Sequence, residues 1–163
     1  MRKTGLYGDN DYVTIQWPTK KDLLEMLKDI PRKIKHLKYK KSGDYFGAFQ
    51  VVLSNGISSP VFNTDSTNVQ NMQSCNISDY SLVKKIKGTK QNGDYYLRCL
   101  IFCKENGNQI AKIETETGKP DNENYEIIHD SEEIIGIHGF KDEDNYQQLG
   151  FIVWKPPRLW LIT

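Results

Sequence analysis

The strongest constraint on this chain is that one pattern of residues occurs in it three times. A shift of about 51 residues places Val83-Lys84-Lys85-Ile86-Lys87-Gly88 on Ile134-Ile135-Gly136-Ile137-His138-Gly139. The match runs on without a gap, Tyr95 on Tyr146 and Leu100-Ile101-Phe102 on Phe151-Ile152-Val153. An earlier copy fits with small gaps: Lys33-Ile34-Lys35 on Lys85-Ile86-Lys87, Gly43-Asp44-Tyr45 on Gly93-Asp94-Tyr95, and Asn55-Gly56 on Asn106-Gly107. A unit this short cannot bury an apolar face by itself, so three copies are expected to pack around a common axis.

Each unit has the marks of β structure. Phe46, Ala48, Gln50 and Val52 alternate with Tyr45, Gly47, Phe49, Val51 and Leu53, and the run closes at Asn55-Gly56, a dipeptide suited to the positive φ of a tight hairpin. Residues 97–104 repeat this and close at Asn106-Gly107. Third strands are expected at 59–63 and 109–114, polar turn-rich stretches at 65–74 and 115–124, and a further strand at 125–129.

One segment breaks the pattern. Thr19-Lys20-Lys21-Asp22 has an N-cap residue with an acid three positions on, Leu23, Leu24, Leu27 and Ile30 follow at helical spacing, and Pro31 ends the run. One short amphipathic helix is therefore expected within residues 19–30, covering the bottom of a sheet, because a helix this short needs packing to persist. After Pro156-Pro157, residues 158–162 offer a last strand or an apolar tail, which would cover an edge if paired with a strand at 12–17.

At 163 residues the chain is expected to form one domain spanning 1–163. It is 37% hydrophobic and 26% charged with a mean hydropathy of -0.63, and no apolar run nears the length of a membrane span. The net charge is +1, and Lys outnumbers Arg 18 to 4, which argues against a nucleic-acid partner because Arg is the residue that reads base edges bidentately. The charge is uneven: a basic excess up to Lys41 and an acidic excess over residues 105–145 are expected to be solvated regions that attract one another. Cys75, Cys99 and Cys103 form no C-x-x-C pair, and Cys99 and Cys103 on one strand would lie about 13 Å apart, too far to bridge. Free thiols, together with a start lacking a signal-peptide apolar region, lead to the expectation of a cytoplasmic protein.

No catalytic motif is present. His36, His129 and His138 have no partner at metal-ligand spacing, and His138 is expected to be a structural imidazole on the strand before the last loop. The chain contains no G-x-S-x-G, phosphate loop or H-E-x-x-H, so no enzyme, metal or cofactor is assigned.

Lys33-Ile34-Lys35, Gly43-Asp44-Tyr45-Phe46-Gly47-Ala48-Phe49-Gln50-Val51, Leu97-Arg98-Cys99-Leu100-Ile101-Phe102 and Ile134-Ile135-Gly136-Ile137-His138-Gly139 together resemble the jacalin-like lectin domain, and Gly5-Leu6-Tyr7-Gly8 is similar to that family's Gly-rich first turn. The resemblance covers most of the chain apart from residues 19–30 and the tail. It implies an all-β fold, a β-prism of three four-stranded antiparallel Greek-key sheets with pseudo-threefold symmetry, here with one short N-terminal helix added. It also implies metal-free sugar binding at one prism end, by the first turn and a G-x-x-x-D loop in the last repeat whose carboxylate accepts bonds from sugar hydroxyls. The matching residues are Gly8, Asp142, Asp144, Asn145, Tyr146 and Gln147.

In this chain Gln147, or Gln148 under another gap placement, stands where the family has Asp, and the other units end at Gly47 and at Leu97 or Arg98. A Gln accepts one bond and donates another, while Asp142, Asp144 and Tyr146 add acceptors and a stacking face. Two functions follow. One is a carbohydrate-binding module with a degenerate, metal-independent site and a glycan or glycoprotein partner. The other is a non-catalytic protein-interaction or assembly subunit on the same scaffold, using the helix, the basic front and the tail.

Overall fold

The computed structural model describes residues 2–4, 15–26, 33–43, 45–64, 68–77, 79–90, 97–115, 122–129, 131–141 and 146–155. Within them lie β1 (Arg2–Lys3), β2 (Ile15–Trp17), α1 (Lys20–Met26), β3 (Ile34–Ser42), β4 (Tyr45–Leu53), β5 (Phe62–Asn63), β6 (Gln73–Cys75), β7 (Lys85–Lys90), β8 (Leu97–Cys103), β9 (Gln109–Glu114), β10 (Asn122–Ile127), β11 (Glu133–Lys141) and β12 (Tyr146–Trp154). They form three antiparallel sheets, ordered β5-β4-β3-β6, β10-β7-β8-β9 and β1-β12-β11-β2.

The first two sheets are built alike. Three strands follow one another by hairpins, and the fourth returns to lie beside the first, which is a Greek key. The third sheet has the same order, but its outer strands, β1 and β2, come from the beginning of the chain.

The two expected Asn-Gly turns have one geometry. Gly56 and Gly107 both have φ of +88°. Gly56 N–H donates to Leu53 O at 3.0 Å and Gly107 N–H to Lys104 O at 2.9 Å. The Asn side chains close the turns, Asn55 Oδ1 accepting from Ile57 N–H and Asn106 Oδ1 from Asn108 N–H.

At the opposite, loop-side end each inner hairpin carries a register shift, between Lys40 and Lys41, Thr89 and Lys90, and Phe140 and Lys141. Beyond the shift Lys41 faces Phe46, Lys90 faces Leu97 and Lys141 faces Tyr146. These ladders correct the ungapped match of Tyr95 with Tyr146. The equivalent of Tyr146 is Leu97, because residues 91–96 join the second hairpin and the shorter 142–145 the third. The slip is two residues, one full strand period, so inward side chains still match inward ones and the pattern conceals it.

Phe46, Leu97 and Tyr146 are fully buried, as are Phe49, Leu100 and Leu149, and Val51, Phe102 and Phe151. They belong to one core to which all three sheets contribute. Phe49 meets Tyr146 edge-on at 4.8 Å and Phe102 meets Phe151 at 5.9 Å, so aromatic pairs join the sheets. Close approach also fixes Gly136 on β11, where an added Cβ would overlap the Trp17 carbonyl of the neighbouring strand.

Several expectations need adjustment. The third strand of the first unit is the two-residue β5 rather than 59–63, and β6 begins inside the stretch expected to be turn. The 125–129 strand starts earlier, as β10. The helix forms with the expected box: Asp22 N–H donates to Thr19 Oγ1 at 3.1 Å, and Thr19 N–H donates to Asp22 Oδ2 at 2.9 Å. Its apolar residues do not cover a sheet as one stripe, since Leu24 is 70% exposed. Leu27, Ile30 and the 158–162 tail lie outside the described residues, and β2 pairs with β11.

Candidate functional site

The third sheet brings both ends of the early segment to one place. β1 runs antiparallel to β12, with Arg2 opposite Val153 and Lys3 opposite Ile152, so the chain leaves Thr4 heading toward the β11–β12 loop end. It re-enters at Ile15, opposite Gly139 and close to the last residues of β11. β1 therefore ends, and β2 begins, toward the end of the sheet at which β11 closes and β12 opens.

Thr4 is held firmly at that departure point. Its N–H donates to Phe151 O at 2.8 Å, and its Oγ1 accepts from Phe151 N–H at 2.8 Å. His138 Nε2 lies 3.0 Å from Thr4 O. A carbonyl only accepts, so Nε2 carries the proton, and Nδ1 is buried without a partner among the described residues. Gly150 faces His138 across the ladder and adds no side chain on that face. Burial holds His138 below the ordinary imidazole range; the Thr4 carbonyl opposes this and nearby Lys3 reinforces it. At the far end of β1, Arg2 Nε and Nη2 grip the Glu132 carboxylate at 2.9 and 2.8 Å, and Nη2 also reaches Ile127 O. Glu132 is 8% exposed, and the Arg2 bond holds its carboxyl below the usual range.

Tyr146 is a core residue. It is fully buried, and its hydroxyl donates to Phe62 O at 2.6 Å, so it presents no ring face for a ligand to stack on. It anchors the start of β12 against the first sheet. The ladder pairs Gln148 with Phe140 and Tyr146 with Lys141, leaving Gln147 as the extra residue of the bulge. Gln147 thereby aligns with Gly47 and Arg98 as the bulge residue of each unit. Gly8, Asp142, Asp144, Asn145 and the side chain of Gln147 lie outside the described residues.

The equivalent residue of the second unit, Arg98, is buried against the first. Arg98 is 7% exposed, with its guanidinium carbon 4.3 Å from the centroid of the half-buried Tyr45 ring and Nη2 3.4 Å from the Tyr45 hydroxyl. Tyr45 follows the Gly43 turn, whose φ is +61°, while Asp44 and the Gly93-Asp94-Tyr95 turn lie outside the described residues. The roles of Phe62 and Arg98 leave no trace in the repeat because each acts across sheets, and that of Thr4 leaves none because its partners on β11 and β12 lie far away in sequence. Among the described residues no group of three His, Cys, Asp or Glu gathers as a metal site, and no helix is long and apolar enough to cross a membrane.

Three four-stranded antiparallel sheets on one core define an all-β fold. Solved structures with this fold include the Calystegia sepium agglutinin, 14% identical, with 95% of this chain and 97% of that one aligned at a TM-score of 0.60. AcmJRL, a mannose-binding jacalin-related lectin from Ananas comosus, is 15% identical over 95% of this chain and 98% of that one, at a TM-score of 0.58. A lamprey immune protein is 13% identical over 76% of this chain, at a TM-score of 0.56, and the match spans only 37% of its length. At these identities the likeness is one of fold: the chain shares the architecture of jacalin-related lectins. No protein-family model matches the chain, and no curated protein matches it by sequence.

Proposed function

We propose that this chain is a carbohydrate-recognition module, its three sheets arranged as a pseudo-threefold β-prism that binds sugar at one end without metal. The site consists of Gly8 with Asp142, Asp144, Asn145 and Gln147, and Tyr146 supports it from the core. The observation that carries this is the convergence at that end: the chain leaves Thr4 toward the loop joining β11 and β12 and returns beside Gly139. Gln147 in place of an acid supplies one acceptor and one donor where a carboxylate would accept two bonds, which makes the site weak.

Calorimetric titration with mannose and mannose-rich glycans tests it. Heat at millimolar ligand is expected, with affinity rising about tenfold in Gln147→Asp, since a charge-assisted bond is roughly twice as strong as a neutral one. No heat from either protein at millimolar sugar would exclude the site.

One observation favours an assembly role on the same scaffold: Leu24 projects from α1 at 70% exposure. Affinity capture with the parent chain and with Leu24→Gln discriminates, a partner lost in the variant favouring assembly. The three unpaired, buried cysteines suit a reducing compartment, and the cytoplasm is part of the same proposal.

A further inference from the structure

The sheet β5-β4-β3-β6 differs from the other two in charge. Across its described residues, 33–43, 45–64 and 68–77, stand Lys33, Lys35, Lys38, Lys40 and Lys41 and no Asp or Glu. Lys33 is drawn off at the far end by Asp79, at 3.0 Å. Lys35, His36, Lys38 and Lys40 have no acidic partner among the described residues.

The ladder decides where His36, Lys38 and Lys40 point. Leu37 and Tyr39 face the core opposite Val51 and Phe49, so His36, Lys38 and Lys40 share the outer face, opposite Val52, Gln50 and Ala48. Successive members of this column stand about 7 Å apart, twice the strand rise. Lys38 is flanked by Gln50 on β4 and Ser74 on β6. The Ser74 hydroxyl is buried and so is withheld from a ligand, while Gln50 Nε2 donates to Ser59 O at 3.1 Å. Lys40 Nζ donates to Gln70 O at 2.6 Å, which fixes the direction of its stem and leaves its charge in place.

We propose that this outer face binds an anionic polysaccharide, a sulfated or uronate-bearing sugar chain lying along β3, at a surface separate from the loop site. Lys38 and Lys40 on this face, the exposed Lys35 at the register shift between Ile34 and His36, and the Gln50 amide between the strands suit a ligand that alternates acid groups with hydroxyls. Nucleic acid fits less well. Tyr39, Phe46, Phe49 and Phe62 belong to or pack against the core, so the face presents no ring on which a base could stack. The chain as a whole carries a net charge of only +1, so attraction to a polyanion reports this face and not a general excess of charge.

The test uses the full chain with heparin and chondroitin sulfate as probes, and neutral dextran and a single-stranded oligonucleotide as comparisons. The triple variant Lys35→Gln, Lys38→Gln, Lys40→Gln is set against a charge-matched triple of exposed lysines elsewhere: Lys20→Gln, Lys104→Gln, Lys155→Gln. Heparin binding at about 0.15 M salt is expected. It should fall about tenfold, with a shallower salt dependence, in the sheet triple, and stay within about twofold in the matched control. A single Lys38→Glu variant, checked for an unchanged urea midpoint, should weaken binding in the same direction. Absence of binding at that salt, equal loss in the two triples, or an oligonucleotide bound as tightly as heparin each overturns the proposal.

Discussion

Tyr146 and His138 illustrate how single side chains hold the candidate site without belonging to it. The Tyr146 hydroxyl bonds the Phe62 carbonyl at 2.6 Å inside the core, and burial pushes its ionisation far above the ordinary phenol range. Tyr146→Phe removes the donor and leaves that carbonyl unpaired, at a cost of about 1–3 kcal/mol, read as a lower urea midpoint with an unchanged slope. His138 acts through its proton. Its imidazole is held below the unfolded value, so the native protein binds fewer protons than the unfolded chain. The contribution of His138 is therefore complete above about pH 6.5 and is lost as pH falls through the folded value. Glu132, held low by Arg2, stays ionised as acidification begins and does not mimic the effect. Urea midpoints measured from pH 7.5 to 5.5 should fall in the parent and fall less in His138→Gln, which keeps an N–H for Thr4; parallel curves would refute this.

Among the elements, the paired Asn-Gly turns give the cleanest expectation. Gly107 has φ of +88° and open space where a Cβ would stand, so Gly107→Ala suffers only the backbone penalty, about 1–2 kcal/mol. Gly56→Ala should cost a similar amount, and because the two turns lie in different sheets the double variant should be additive within about 0.5 kcal/mol by denaturant titration. These turns were legible because Asn-Gly dictates conformation locally, and α1 because Thr19 and Asp22 satisfy each other's backbone. β6 was not, and β10 was legible only in its second half, as the strand expected at 125–129. Gln73-Ser74-Cys75 and the polar run 122–127 are edge strands, formed because β3 and β7 offer free backbone groups, and their own residues carry little apolar alternation. β1 was hidden for the same reason. The place of the proposed loop site came from the resemblance to jacalin-like lectins, and the register of the repeat beside it was not legible in the sequence. A two-residue difference in loop length leaves every inward side chain inward, so only the hydrogen-bond ladder marks Gln147 as the bulge residue.

For the molecule as a whole, one core shared by three sheets should open as a unit. Cys75, Cys99 and Cys103 are unpaired and each 3% exposed or less, and burial pushes the Cys75 thiol up. A thiol reagent should leave all three unmodified in the native protein and label them together across the urea transition; rapid native labelling of any one would show that its sheet opens independently. The third sheet sets a further condition, because its two outer strands are made first and its inner hairpin last. While the chain emerges from the ribosome, residues 2–17 have no template to dock on until residues 133–154 have been translated. Completion of this sheet therefore waits for residues 133–154, and a product stopped before them would display β1 and β2 as two orphan strands to the quality-control machinery.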